Sequence, residues 1–238
     1  MATHSLSLPL SFRLSGSALK VLAVVSMVAD HCACFMLEQG SLLYEVLRCI
    51  GRIAFPVFAL LIAEGFAHTR DRMRYFLTLL AVGIVSELPW QLLNGADGTH
   101  NVMFTLALGV VALSVFDRLC EHGIVCFIGI STIAAIAWWI GSDYEWRGIF
   151  MIVIFYMLRR QTIEPWLTRG EVCYPLQSML QIALTLPLMS HYGVVGAILA
   201  SFAIFLYDGT RGSIKGAAAK YRFYAFYPVH LVLLYLTI

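Results

Sequence analysis

The stretch Leu47-Arg48-Cys49-Ile50-Gly51-Arg52-Ile53-Ala54-Phe55-Pro56-Val57-Phe58-Ala59-Leu60-Leu61-Ile62-Ala63-Glu64-Gly65-Phe66-Ala67 decides the fold. It has the length of a membrane-spanning helix, which needs about 20 mostly apolar residues to cross about 30 Å of hydrocarbon. Yet Arg52 and Glu64 lie inside the apolar run. An unpaired charge near the bilayer centre costs at least about 2–3 kcal/mol, and such residues generally mark function. The stretch therefore reads as a span that turns a polar side toward other helices.

The rest of the chain has the same character. Of 238 residues, 60% are hydrophobic and 13% charged, and the mean hydropathy is +0.81. Soluble domains carry about 25% charged residues, so an ordinary soluble protein is excluded. A disordered chain is excluded too, because it needs low hydrophobicity and high charge. The net charge is +2, and no basic patch alternates with aromatics, so nucleic acid is not an expected partner. The partner that composition does imply is the lipid bilayer.

Nine spans follow from the apolar runs: Ala18–Leu37, Leu47–Ala67, Tyr75–Leu93, Val102–Leu119, Ile124–Ile140, Gly148–Leu158, Pro175–Ser190, Tyr192–Tyr207 and Phe223–Ile238. The sixth is short and could begin near Tyr144. The seventh and eighth, joined at His191-Tyr192-Gly193, could instead be a re-entrant pair, so the range is eight to ten. The positive-inside rule orients them. With the N-terminus in the cytoplasm, thirteen of the sixteen Lys and Arg fall in cytoplasmic segments, and only Arg48, Arg52 and Arg147 remain for the other side. The expected fold is all-α: a polytopic transmembrane helical bundle with a cytoplasmic N-terminus and a periplasmic C-terminus. Residues 1–238 form one membrane domain, with 1–17 as a short cytoplasmic segment. That segment lacks a basic start, an apolar run and a cleavage site, so the first span serves as an uncleaved anchor. The six Cys form no CxxC pair and read as small buried hydrophobes, although Cys34 and Cys49 could lie near one face and pair. No metal site is expected.

Six ionisable residues lie inside the spans: Asp30, His31, Arg52, Glu64, Glu87 and His230. At a rise of about 1.5 Å per residue, His31 lies about 16 Å beyond Lys20, and His230 about 12 Å beyond Arg222. The two histidines therefore fall at similar depth on different helices. Asp30 and His31 point about 100° apart and cannot easily pair, so Glu64 or Glu87 is the better candidate to orient the imidazole. Arg52 could pair with Glu87. Neutral, oriented histidine is the commonest general base near pH 7. A mid-membrane polar cluster beneath a basic rim suggests catalysis on an anionic donor or else transport.

Several ordered blocks resemble the TraX family of membrane proteins, the F-pilin acetylases. They are Lys20 to His31, Arg48 to Ala59 running on to Glu64-Gly65-Phe66-Ala67-His68-Thr69-Arg70, and Ser86-Glu87-Leu88-Pro89. Asn101-Val102-Met103-Phe104-Thr105-Leu106, Tyr207-Asp208-Gly209-Thr210-Arg211-Gly212 and Phe223 to His230 complete the set. The likeness spans nearly the whole chain and is weakest from Glu121 to Gln181. A broader likeness is to acyltransferase-3-type enzymes, which place a basic residue about ten positions before a His on an early helix, as with Lys20 and His31.

The resemblance implies a bacterial inner-membrane enzyme that transfers acetyl from acetyl-CoA to the amino group of a pilin subunit during conjugative pilus maturation. His31 is then the general base, with His230 a second choice for base or oxyanion donor. Arg52 or Asn101 could also serve the oxyanion. Asp30, Glu64 and Glu87 orient or support. Lys20, Arg70, Arg72 and Arg74 could hold the phosphates of the donor, although the three arginines also serve as a topology signal. Phe223, Tyr224, Phe226 and Tyr227 read as interface anchors, and Ser26 and Ser86 as packing residues. The rival readings are an O-acetyltransferase for a surface sugar or lipid, a non-catalytic pilus assembly factor, and a transporter. The last is disfavoured by the lack of an inverted repeat.

Overall fold

A computed structural model describes residues 13–159, 174–214 and 216–238. Among these residues the chain forms ten helices: α1 (Gly16–Met36), α2 (Leu42–Gly51), α3 (Ala54–His68), α4 (Arg72–Asn94), α5 (Val102–Leu119), α6 (Gly123–Trp139), α7 (Glu145–Met157), α8 (Tyr174–Ser190), α9 (Val194–Phe205) and α10 (Ala217–Thr237). Arg160, Arg169 and Lys215, which are among the thirteen cytoplasmic cations, and Cys173, one of the six Cys, lie outside the described residues. Four segments are long and apolar enough to cross a membrane: Gly16–Met36, the combined Leu42–His68, Arg72–Asn94 and Val102–Leu119. Shorter apolar helices accompany them. The 21 residues of α1 give about 30 Å of helix.

The helix starts follow from local chemistry. Free N–H groups at a helix N-terminus need acceptors. Ser15 caps α1, Ser41 caps α2, Asp71 caps α4 and Asn101 caps α5, each through its side-chain oxygen. The C-terminus of α4 closes on Gly95 at φ +67°, a left-handed conformation that glycine adopts without cost.

The decisive second span is broken. Its helix stops at Gly51, turns through Arg52 and Ile53, and restarts at Ala54. Pro56 supplies the reason. It has no N–H to give to the carbonyl of Arg52, and it is tolerated in a first turn but not in a helix interior. The helix that holds the sixth apolar run begins at Glu145, earlier than the run itself, and the helix that holds the last begins at Ala217 rather than Phe223. The seventh and eighth are α8 and α9, joined by the tight turn at 191–193.

Helices α3 and α7 form the centre and pack on each other, with α1, α5, α8 and α9 around them; α4 bridges α5 and α10. Phe55, Leu60, Phe66, Ile149, Ile152 and Phe155 are fully buried there. The outer faces expose Val25, Leu88, Trp139, Phe202 and Leu236, as lipid-facing helices do and water-facing ones rarely do. Cys32, Cys34, Cys49, Cys120 and Cys126 are free thiols, so the Cys34–Cys49 pairing is not formed. Ser26 donates to the carbonyl of Ile50 and Ser86 is fully buried, which fits their expected packing role.

The loops gather at two ends. At one, Arg72 pairs with Asp117, and Tyr156 donates to Asp117. At the same end, the Tyr207–Gly212 turn is bonded to the start of α1 through Leu14–Leu206 and Gly16–Thr210. At the other, His100 bonds Gly141 and Asp143 through its backbone, and Tyr144 packs on Tyr192. The first is here called the basic end.

Candidate functional site

His31 on α1 and His230 on α10 meet inside the bundle. Nδ1 of His31 lies 2.8 Å from Nε2 of His230, and the rings are within 5° of parallel. His230 is buried and stacked on Phe226, while Trp90 and Phe35 border His31. Nδ1 of His230 lies 3.1 Å from the carbonyl of Phe226. That contact fixes the protons of the neutral pair. A carbonyl only accepts, so Nδ1 of His230 carries the hydrogen and Nε2 accepts. Nδ1 of His31 must then donate, which leaves Nε2 of His31 as the one bare nitrogen. Among the described residues no carboxylate takes part. The expectation that Glu64 or Glu87 orients His31 is corrected: each has other partners.

Asp30 turns from His31, as the 100° step requires, and pairs with Arg48 at 2.7 Å. Gly51 makes room for it; a Cβ there would stand 2.2 Å from the Asp30 carboxylate. Arg52, at the span break, lays its stem on Gly196 and hydrogen-bonds Tyr144, with Asp30 and Asp143 nearby. It does not pair with Glu87. Phe55 stacks on Tyr144 at 3.7 Å, and a Cβ at Gly148 would collide with Phe55. The block from Gly51 to Pro56 thus packs as one unit on the opposite end. There Asp143, in the α6–α7 loop, is pushed up to about 6 by burial, against the pull of Arg52 and Arg48.

Glu87 holds a separate network. One oxygen takes Nδ1 of His100 and Nε2 of Gln91, both at 2.6 Å; the other takes the Asn101 amide at 2.7 Å. The Asn101 amide also bonds the carbonyl of Gly83, so it is fully engaged. Glu64 sits between Arg159, at 3.4 Å, and His68, at 3.6 Å.

A cavity of about 620 Å³ opens at the basic end. Lys20, Arg211, Lys220 and His68 stand at its mouth with Glu64, and Phe58, Leu61, Leu79 and Leu106 line its shaft. It reaches Met27, one helical turn before His31, and Tyr227, whose ring lies 5.3 Å from His230. The Tyr207–Gly212 turn forms part of the lip. Its Gly212 has φ +80°, and a Cβ there would meet Ser15 and Ser17 at 2.5–2.7 Å. The hydroxyl of Ser17 donates to the carbonyl of Arg211 and accepts from the N–H of Ile214.

Of the residues expected to hold phosphates, Lys20 lines the cavity. Arg72 is paired with Asp117 and lies over Phe66, Arg74 donates to Tyr221, and Arg70 is exposed; none of the three lines it. Arg211 and Lys220, counted only as topology residues, do. His100 and Asp143 escaped attention because they lie in loops, where a polar residue carries no penalty. Their one signal is a short polar connection between two long apolar runs.

An all-helical membrane protein with an imidazole pair beyond a basic-mouthed cavity is the class that this fold and site define. The model of the family described as TraX protein matches residues 15–238. A relative from Dichelobacter nodosus, named probable fimbrial assembly protein FimC, serogroup H1, is 31% identical over 240 residues, covering 92% of this chain and 94% of the relative. The chain belongs to the TraX family. No solved structure matches it.

Proposed function

We propose that this protein is a bacterial inner-membrane acetyltransferase, with the N-terminus cytoplasmic and nine crossings, that moves acetyl from cytosolic acetyl-CoA to the N-terminal amine of a pilin subunit. The observation that carries the reading is the cavity. Its mouth offers cations for the phosphates of the donor, its shaft offers apolar walls for the pantetheine arm, and its deep end adjoins an imidazole pair with one bare nitrogen. Lys20 and Arg211 hold phosphate oxygens, Arg211 by forked contacts. The thioester then lies about 16 Å inside, the depth of His31 below Lys20. A pilin lying in the membrane presents its cleaved amino terminus from the outer side.

Nε2 of His31 takes the proton that the amine nitrogen releases as it attacks the thioester carbon. The C–N bond forms, the C–S bond breaks, and the proton passes from His31 to the departing thiolate. His230 keeps His31 in the required tautomer, as an orienting partner does in other acyl-transfer sites. Co-expression with the pilin of the same organism tests this. Mature pilin gains the mass of an acetyl group beside wild-type protein and loses it beside His31→Ala.

The name of the D. nodosus relative favours a second reading, a fimbrial assembly factor without catalysis. Pili lost on deletion of the gene but restored by His31→Ala, with pilin never acetylated, would establish that reading instead.

A further inference from the structure

We infer that His100, oriented by Glu87, is the base that deprotonates the incoming ammonium of the acceptor before its acetylation; this rests on the acetyl-transfer reading. Glu87 accepts from Gln91, from His100, and from both the side-chain amide and the backbone N–H of Asn101. Nδ1 of His100 donates to it at 2.6 Å, so Nε2 carries the lone pair. The His100 side chain is 41% exposed, against 22% for Glu87. Its backbone is clamped on both sides by Gly141 and Asp143, and its ring meets the edge of Phe104. A carboxylate-held, partly exposed imidazole is the arrangement that acid–base sites use. The charged groups around it are Glu87 on α4, Asp97 in the α4–α5 loop, and Asp143 in the α6–α7 loop with Arg52 behind it. Their sum at the loop face favours an incoming cation.

The position also suits an acceptor arriving from the end opposite the donor. Trp90 lies 6.1 Å from His31, and its indole N–H donates to the carbonyl of Thr99, the residue before His100. Trp90 therefore links the His31 ring to the backbone beside His100. Two bases are needed because an α-ammonium must lose two protons to become an amide. An α-amine has a pKa of about 7.7–8.0, and the bare nitrogen of His31 can take only one proton. His100 takes the first, leaving a free amine. The amine attacks, C–N forms and C–S breaks, and His31 moves the second proton to the thiolate. The proton on His100 leaves through its exposed edge. The sum is ammonium plus thioester giving amide, thiol and one proton.

The test uses the purified full chain in detergent, acetyl-CoA, and a membrane-anchored synthetic peptide with a free α-amine, assayed from pH 6 to 9. The His100→Gln variant should lose about 20-fold at pH 6.5, the deficit of free amine at that pH, and recover to within about 3-fold at pH 9. A peptide ending in a low-pKa aminooxy group should be acetylated equally by both proteins at every pH. Glu87→Gln, which keeps the ring, should show the same pattern more weakly and serves if His100→Gln does not fold. An equal loss at all pH values and with both peptides overturns this inference and leaves His31 in place. Wild-type protein that acetylates neither peptide overturns the acetyl-transfer reading itself.

Discussion

His31 and His100 are both held in place by hydrogen bonds, but by opposite means. His31 sits deep in the bundle and is oriented through a second histidine that ends on a backbone carbonyl. His100 sits at a loop and is oriented by a carboxylate. The difference follows from the dielectric. In a low-dielectric interior a carboxylate would add a charge that must be paired, and breaking that pair costs several kcal/mol. A carbonyl sets the tautomer without adding charge. Near the bundle end, water screens the carboxylate, and a charged partner is tolerated. Depth therefore selects how an imidazole can be aimed.

The sharpest way to break this comparison is to remove the bare nitrogen. His31→Ala should lower acetyl transfer by about 10²–10⁴-fold, measured by pilin mass, while binding of CoA changes by no more than about 3-fold. Replacing its partner, His230→Ala, leaves the nitrogen and removes only the tautomer control, so the loss should be smaller, about 10–100-fold. If both variants lose activity equally, the pair acts as one unit. Next in size is the mouth. Lys20→Gln combined with Arg211→Gln should raise the KM for acetyl-CoA about tenfold, with little change in kcat and a weaker dependence on salt than wild type. A fall in kcat alone would place the phosphates elsewhere.

Smaller effects are expected at the charged end. Gly51→Ala drives a methyl into the Asp30 carboxylate and should destabilise the protein by about 1–3 kcal/mol, read as a lower Tm in detergent. Asp143 gives a pH signature. Its carboxyl is raised to about 6 in the folded chain, so folding favours the protonated form. Wild type should lose stability as pH rises from about 4 through about 6, and Asp143→Asn should remove that slope. Parallel stability curves for the two proteins would show that the loop leaves Asp143 ionised.

Much of the fold was legible because apolar length is a local property. Counting residues from Lys20 and Arg222 put His31 and His230 at one depth, and they touch. The 100° step between Asp30 and His31 correctly separated their partners. The partners themselves were not legible, because which helix faces which is a matter of packing. Glu64 and Glu87 were assigned to His31 on polarity alone, yet Glu64 belongs to Arg159 and His68, and Glu87 to His100. The break at Arg52 was written in Pro56, whose missing N–H leaves that carbonyl free, but the apolar run around it masked the signal. The cavity was invisible for the same reason as the partners: its walls come from α1, α3, α4, α5 and α10 together with Tyr207, Gly209, Arg211, Ile214 and Gly216.

The bonds that build the site also join segments far apart in the sequence. His31 and His230 are 199 positions apart, and Ser17 holds Arg211 across 194. The first helix enters the bilayer long before its partner is translated. Until α10 arrives, His31 lacks the partner that sets its tautomer and the cavity lacks one wall. A chain made only as far as α9 therefore holds His31 without its partner, and the site is assembled only once α10 has packed against α1.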